Sequence, residues 1–470
     1  MLQYTEAMSY QLQLQFFGAA QTVTGSKTLL TYDGKKYLID CGLFQGPKEI
    51  RQKNWDDSPE LKDLSAIILT HAHIDHSGYL PRMSALGYTG PVYSTVGTYD
   101  LCKIMLIDAA YLQEEDARFA NQKKYSSHSP ALPLYTAHDA EKILQKFHAV
   151  PFYEWKQLAP NLSFRFLRAG HILGSGVLQI SFMSSSGMKI LTFTGDLGNS
   201  RSFILRDPDP VIESDFLVCE STYGDRVQPR EDTFQQVSEV VNKVIGRGGT
   251  LVVPAFSVGR TQELLYIMSQ LIRDGKIPSV PIYLDSPMAQ TATDIYKKHA
   301  EELKSDIQDG YLQAHLTGVA FREIRDSDQS MLLCMSTEPK IVISAAGMLT
   351  GGRVLHHLKA KLPDEKSGVL FVGYQGVGTK GLLLKSGWKD IRIHQQKVSV
   401  EAEIFSIEQL SAHADADDLL KWVGAMKKRP GLTFINHGEK NASETLGYLF
   451  RTELEMKCII AEENKVYTLE

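Results

Sequence analysis

The sequence predicts an α/β protein in which a strand-rich unit is interrupted by a second unit built on a doubly wound parallel sheet. Three observations point there. Short apolar strands separated by turns fill the first two hundred residues. Beyond Glu220, strands alternate with helices, and the strands end in polar or small residues. From about Val398 the chain returns to strand-rich character. Strands joined by helices favour a parallel sheet whose ligands sit outside the carboxyl ends of the strands.

Taken in order, QLQLQFFG reads as a first strand, and TLLTYDGKKYLIDCG as a hairpin turning at Asp33-Gly34. LSAIILT (64–70) is a buried strand by its β-branched run, followed later by LSFRFLRAGH, GVLQISFM and MKILTFTGD. The stretch 98–147 reads as helical and polar, broken by an exposed loop, KKYSSHSPALP. In EDTFQQVSEVVNKVIGRGG, Phe234, Val237, Val240, Val241, Val244 and Ile245 recur at helical spacing, with acids at the start and glycine at the end. TLVVPAF, the helix RTQELLYIMSQLIRDGK, PIYLDSP, KIVISAAG and VLFVGYQG continue the alternation. VEAEIFSIEQLSAHAD and LTFINHGE close the chain, with a helix at DADDLLKWV between them.

At 470 residues, 43% hydrophobic and 22% charged, the chain buries a large core and is neither disordered nor collagen-like. Fifty basic against 55 acidic residues, a net charge of -5, exclude gripping nucleic acid by overall basicity and leave room only for a local basic groove. Five dispersed cysteines without a CxxC fit a reducing cytosol and argue against thiolate zinc ligation. The N-terminus lacks the basic start and apolar run of a secretory signal, and no stretch approaches the roughly 20 apolar residues that span a bilayer. The expected setting is cytoplasmic, with no membrane partner.

The strongest chemical signal is Thr70-His71-Ala72-His73-Ile74-Asp75-His76-Ser77-Gly78, directly after an apolar strand. Imidazole nitrogens and a carboxylate suit zinc, and a strand end or tight loop lets them converge. His71 and His73 can serve one ion while Asp75 and His76 turn toward a second. Further strand ends carry the same residue types: His171 in GHILGSG, Asp196 in TGDLG and His437 in NHG.

Together these motifs resemble the metallo-β-lactamase superfamily. HAHIDHSG is similar to its HxHxDH signature, Asp40 in LIDCG to its upstream aspartate, and His171 and Asp196 to its third and fourth motifs. The resemblance implies an αββα sandwich. It also implies two zinc ions, one held by His71, His73 and His171, the other by Asp75, His76 and His437, with Asp196 bridging. Asp40 would hold a ligand imidazole by its far nitrogen. Paired zincs about 3.5 to 4 Å apart clamp an in-line displacement at phosphorus and supply ionised water near neutral pH.

About 240 residues separate Asp196 from His437, and their alternation reads as an inserted domain. This resembles the β-CASP ribonucleases, in particular compact bacterial relatives of the nuclease subunit of the pre-mRNA 3′-end cleavage factor, over essentially the whole chain. The implied domains are 1–222 and 396–470 for the hydrolase and 223–395 for the insertion. Glu220 in CESTYGD matches the family's acidic motif A, His413 in LSAHAD its motif B and His437 its motif C, where histidine favours RNA over DNA. His413 would be the general acid for the leaving ribose oxygen, with Glu220 orienting it and raising its pKa.

Arg260 behind Gly259, Ser344, Gly347, Arg353, Tyr374 in GYQGVGTKG and Ser411 are the expected walls of an RNA cleft, with helix starts and fixed charges facing phosphate. Two strings depart from the family: Gly381-Leu382-Leu383-Leu384 lacks a basic residue, and Gln21-Thr22 replaces Gly-Glu. No tethered RNA module is recognisable, so single-stranded RNA would be held by the cleft between domains or by a homodimer. The implied function is hydrolysis of RNA, internally, stepwise from the 5′ end, or both, in RNA processing or decay. A non-catalytic RNA-processing scaffold, or a hydrolase of a small ester or thioester, is the alternative.

Overall fold

The hairpin at residues 33 and 34 forms because both adopt the left-handed backbone a two-residue turn needs, φ 49° and 69°. It joins Thr28–Tyr32 to Lys35–Ile39 in antiparallel register. The structure is a computed structural model and describes residues 11–123, 129–229, 231–308, 321–373, 375–376, 378–407 and 409–470. The chain divides into two compact units. One comprises Met1–Ser200, Asp207–Val227 and His413–Glu470, the other Arg201–Arg206 and Gln228–Ala412.

In the first unit, one seven-stranded sheet runs Val466–Leu469, Leu12–Phe16, Thr28–Tyr32, Lys35–Ile39, Leu64–Ile68, Val92–Ser94, Phe147–Ala149. The other runs Cys458–Ile460, Leu432–Asn436, Phe216–Glu220, Gly187–Phe193, Gly176–Ser184, Leu162–Arg168, Lys156–Ala159. Alternation explains the layers. Leu12, Leu14 and Phe16 of the first sheet share one core with Phe164, Phe166, Leu178, Ile180 and Phe434 of the second. On the second sheet's other face, Val177, Leu217, Cys219 and Ile435 pack under Leu419 and Val423 of helix Ala416–Gly424 and Leu446 and Phe450 of helix Lys440–Glu453.

The second unit carries a six-stranded, wholly parallel sheet ordered Phe321–Glu323, Ile282–Leu284, Lys340–Ser344, Thr250–Pro254, Gly368–Val372, Glu403–Ile407. It is doubly wound. Leu251, Val253, Leu370 and Val372 face helices Thr233–Gly246 and Arg260–Arg273, whereas Val252, Val369 and Phe371 face helix Val354–Lys361 and the short helix Lys380–Lys385. Both faces are apolar, so these strands read as continuous apolar runs.

The segment after residue 396, where the hydrolase is expected to return, still contributes a strand to the second unit's sheet. Glu403–Ile407 pairs in parallel with Gly368–Val372 and completes the inserted sheet, and the hydrolase resumes at His413. Strand-rich character is local, while the choice of neighbouring strand is made by long-range pairing.

Two glycines test this packing with opposite signs. A Cβ on Gly42 would lie 1.6 Å from the Asp75 carbonyl oxygen, whereas one on Gly246, in the last turn of its helix, meets nothing within 4 Å. Calorimetric scans are expected to show Gly42→Ala melting several degrees lower, and Gly246→Ala, gaining about 0.5–1 kcal/mol of helix propensity, slightly higher. Shifts of the same sign in both variants would contradict the packing.

Candidate active site

The side chains expected to ligate metal sit just past the carboxyl ends of strands of the first unit. Asp40 follows Lys35–Ile39, the histidine loop follows Leu64–Ile68, and His171 follows Leu162–Arg168. Asp196 follows Gly187–Phe193 and His437 follows Leu432–Asn436. The main chain of neighbouring segments grips the histidine loop. Ser26, Cys41 and Leu43 donate their N–H groups to the carbonyls of Asp75, His76 and Ile74 at 2.8, 2.7 and 2.9 Å. Asp40 and His437 adopt left-handed backbone (φ 57° and 50°), costing roughly 1–2 kcal/mol each. Their N–H groups are anchored on Ile68 and Ala19 carbonyls.

One ligand atom from each of His71, His73, His171 and Asp196 lies within 4.8 Å of the others, and the same holds for Asp75, His76 and His437. Asp196 stands between the groups. Its Oδ2 is 3.4 Å from His71 Nε2 and 3.6 Å from His171 Nε2, and its Oδ1 is 3.1 Å from His76 Nε2 and 3.5 Å from His437 Nδ1. Despite that proximity Oδ1 is buried without a hydrogen bond. His76 Nε2 and His437 Nε2 face each other at 2.9 Å, and His73 Nδ1 faces both His71 Nε2 (3.2 Å) and His171 Nε2 (3.1 Å). An orphaned buried carboxylate oxygen beside ring nitrogens that crowd one another is the arrangement a cation resolves, so the donor set fits metal.

Protonation agrees. Burial, followed by the charge of His76, holds His71 below its ordinary pKa; burial takes His73 down to about 3 and His171 well down. All three are neutral, with lone pairs free. Burial opposes ionisation of Asp75 and Asp196. It is outweighed by His437 and His76, joined at Asp196 by His71, so both carboxyls sit below the usual range. Burial likewise opposes charge on His76, but Asp196 and Asp40 raise its pKa well above the ordinary value. Asp40 Oδ2 is 2.8 Å from His76 Nδ1, while its Oδ1 accepts the Thr70 N–H at 2.7 Å.

Beside the metal groups, His413 Nδ1 lies 3.1 Å from Glu220 Oε2, and His413 Nε2 4.0 Å from Asp196 Oδ2. Glu220 is buried, held by the Leu197 N–H on Oε1 (2.5 Å) and donating its own N–H to Thr194 Oγ1 (3.0 Å). Burial alone would lower the His413 pKa; the Glu220 carboxylate overrides it and raises the imidazole to about 9. His413 sits where the chain re-enters the unit, bridged to Gly198, with Ala414 donating to the Leu197 carbonyl at 2.8 Å.

The expected cleft residues fare differently. Arg260 is 8% exposed and ion-paired with Glu263 at 2.8 Å. Arg353 donates to Asp285 Oδ1 (2.8 Å) and to the Ile324 and Arg325 carbonyls. Both guanidinium groups are held by carboxylates inside the inserted unit. Ser344 is buried and donates to the Asp285 carbonyl. Gly347 packs its backbone against Phe256, and Ser411 is buried. Tyr374 lies outside the described residues.

Sequence reasoning missed the hydroxyls that hold this centre. Thr70 Oγ1 lies 2.9 and 3.0 Å from the two oxygens of Asp40, and Thr194 anchors Glu220. Thr222 Oγ1 reaches both His437 Nδ1 and its carbonyl at 3.2 Å. Each is adjacent to, or two residues from, a singled-out acid or histidine, the one signal available.

Comparison with known proteins accords with this layout. A metallo-beta-lactamase superfamily domain model matches residues 29–194, a Beta-Casp domain model 261–384, and a Zn-dependent metallo-hydrolase RNA specificity domain model 397–461. "Ribonuclease TTHA0252" of Thermus thermophilus is 34% identical over 440 residues, 92% of this chain and 94% of that protein. An "RNase J-like protein" of Methanocaldococcus jannaschii is 32% identical, covering 92% and 93%. "Transcription termination factor FttA" of the same organism is 31% identical, covering 94% of this chain and 70% of its own. A crystal structure of a protein of unknown function from Enterococcus faecalis shares the fold at TM-score 0.54 and 14% identity, over 98% of this chain and all of that one. The chain therefore belongs to the β-CASP family of metallo-β-lactamase-fold ribonucleases.

Proposed function

We propose that the protein is a zinc-dependent ribonuclease that hydrolyses phosphodiester bonds of single-stranded RNA, leaving a 5′-phosphate and a 3′-hydroxyl. The observation that carries this reading is the placement of the Glu220–His413 pair against Asp196, the carboxylate shared by both ligand groups. Relatives named ribonuclease and RNase J-like over nine-tenths of the chain support RNA as the substrate, as does the imidazole at His437. Five unpaired cysteines agree with a reducing, cytoplasmic setting.

Two zinc ions would be held, one by His71, His73 and His171, the other by Asp75, His76 and His437, with Asp196 common to both. When bound they supply the positive charge that activates water and steadies the phosphoryl oxygens. The chain's own residues do the rest. The neutral imidazoles of His71, His73 and His171 offer lone pairs without first releasing protons. Asp40 fixes the ring of His76 through Nδ1, so that Nε2 points at the shared site. Glu220 holds His413 protonated at neutral pH, with Nδ1 engaged and Nε2 toward Asp196. The Nε2 proton is the one passed to the departing ribose 3′-oxygen, and a side chain that is 20% exposed can be reprotonated from solvent.

Three outcomes test this. EDTA treatment is expected to abolish cleavage of end-labelled RNA, and added zinc to restore it. Asp196→Asn should lower the zinc measured by plasma mass spectrometry together with turnover. His413→Ala should keep its zinc but lose about 10²- to 10⁴-fold in rate. Native-rate cleavage by His413→Ala would remove it as the acid.

A further inference from the structure

Behind the histidine loop, on the first unit, lies a cavity of about 380 Å³, within the range of small-molecule sites of about 300–1,000 Å³. Phe17, Phe44, Leu61 and Tyr79 give it apolar walls, and Lys27 opens onto it. Lys27 is only 4% exposed. Among the described residues its ammonium has no hydrogen bond or ion pair; it rests between the faces of Phe44 and Tyr79, 4.4 Å from each ring centroid. Ring contacts recover part of the cost of burying a charge and leave its three donors unmet. Burial lowers its pKa to about 8, still protonated at neutral pH.

The other charges at the cavity restrict the ligand. Lys53 and Glu463 neutralise one another in an ion pair of 2.7 Å, and Asp56 adds a negative charge to the lining. The lining charges sum to zero, yet among the described residues the Lys27 ammonium has no hydrogen-bond or ion-pair partner, and the neighbouring carboxylates repel a dianion. Flat apolar walls ask for a flat apolar body. We propose that this cavity is a binding site for a small organic monocarboxylate with an aromatic body, its carboxylate paired with the Lys27 ammonium and its ring laid among Phe17, Phe44 and Tyr79.

The site is joined to the metal loop by backbone. Ser26, next to Lys27, donates to the Asp75 carbonyl, and Tyr79 donates to the carbonyl of Cys41, whose own N–H holds His76. A ligand that orders these walls acts on the segment carrying Asp75 and His76, and linkage makes such an effect reciprocal.

The test is calorimetric titration of the zinc-loaded full chain with benzoate, benzamide and phenyl phosphate at neutral pH, on wild type, Lys27→Met and Lys27→Gln. A carboxylate taken up by the metal centre contributes equally to all three proteins and cancels. The expected result is one saturable benzoate site per wild-type chain, at least tenfold weaker for benzamide and for phenyl phosphate, and at least tenfold weaker in both variants. Lys27→Met removes an unpaired buried charge and should melt no lower than wild type; Lys27→Gln gives the same comparison with a polar side chain. Benzoate isotherms that are absent, or identical in wild type and variants, overturn the site, and a preference for phenyl phosphate overturns the charge assignment.

Discussion

His76 lies between two carboxylates, Asp40 at 2.8 Å from Nδ1 and Asp196 at 3.1 Å from Nε2, and all three are almost wholly buried. Buried charge is tolerated only when it is paired, so this row forces strands of both sheets to bring their ends to one place. Asp40 and the histidine loop come from one sheet; Asp196 and His437 come from the other. The sandwich core beneath holds the two sheets in register, and the polar cluster at its edge is the part of the interface that hydrophobic packing cannot supply. Asp196 Oδ1, buried without a hydrogen bond, is the point where the imidazoles leave that charge balance incomplete.

Much of this was legible in the sequence because it is locally encoded. The Asp33-Gly34 turn, the helical spacing of Val237, Val241 and Val244, and the crowding of His71, His73, Asp75 and His76 after an apolar strand each depend on neighbours a few residues away. Pairing at long range was not legible. Glu403–Ile407 has the look of any strand, and only its alignment beside Gly368–Val372 assigns it to the inserted sheet. Arg260 and Arg353 stand at helix starts, and the carboxylates that hold them differ in how far they lie along the chain. Glu263 is one helical turn along from Arg260 and could have been noticed; Asp285 is distant in sequence from Arg353 and could not. Lys27 in GSKTLL carries no mark of burial, because an alternating strand pattern with a lysine at its start is ordinary.

Net charge misleads in the same way. A chain at -5 looks unfriendly to RNA. Several of its acids, however, are turned inward as Asp40, Asp196 and Glu220, where they organise positive charge and are not presented to solvent as a repelling surface. The field that a phosphodiester meets is set by that local arrangement, and the sum over the chain says little about it.

The re-entry of the chain at His413 has a consequence for the order in which the molecule is made. His413 and His437 both come from the segment that follows the insertion, and they meet Glu220 and Asp75 only when that segment is laid back onto the first unit. A chain still emerging from the ribosome already holds His71, His73, His76, His171 and Asp196. His413 and His437 join them only when the segment after the insertion has been made and folded back onto the first unit, so the cluster closes in two stages separated by the whole inserted sheet.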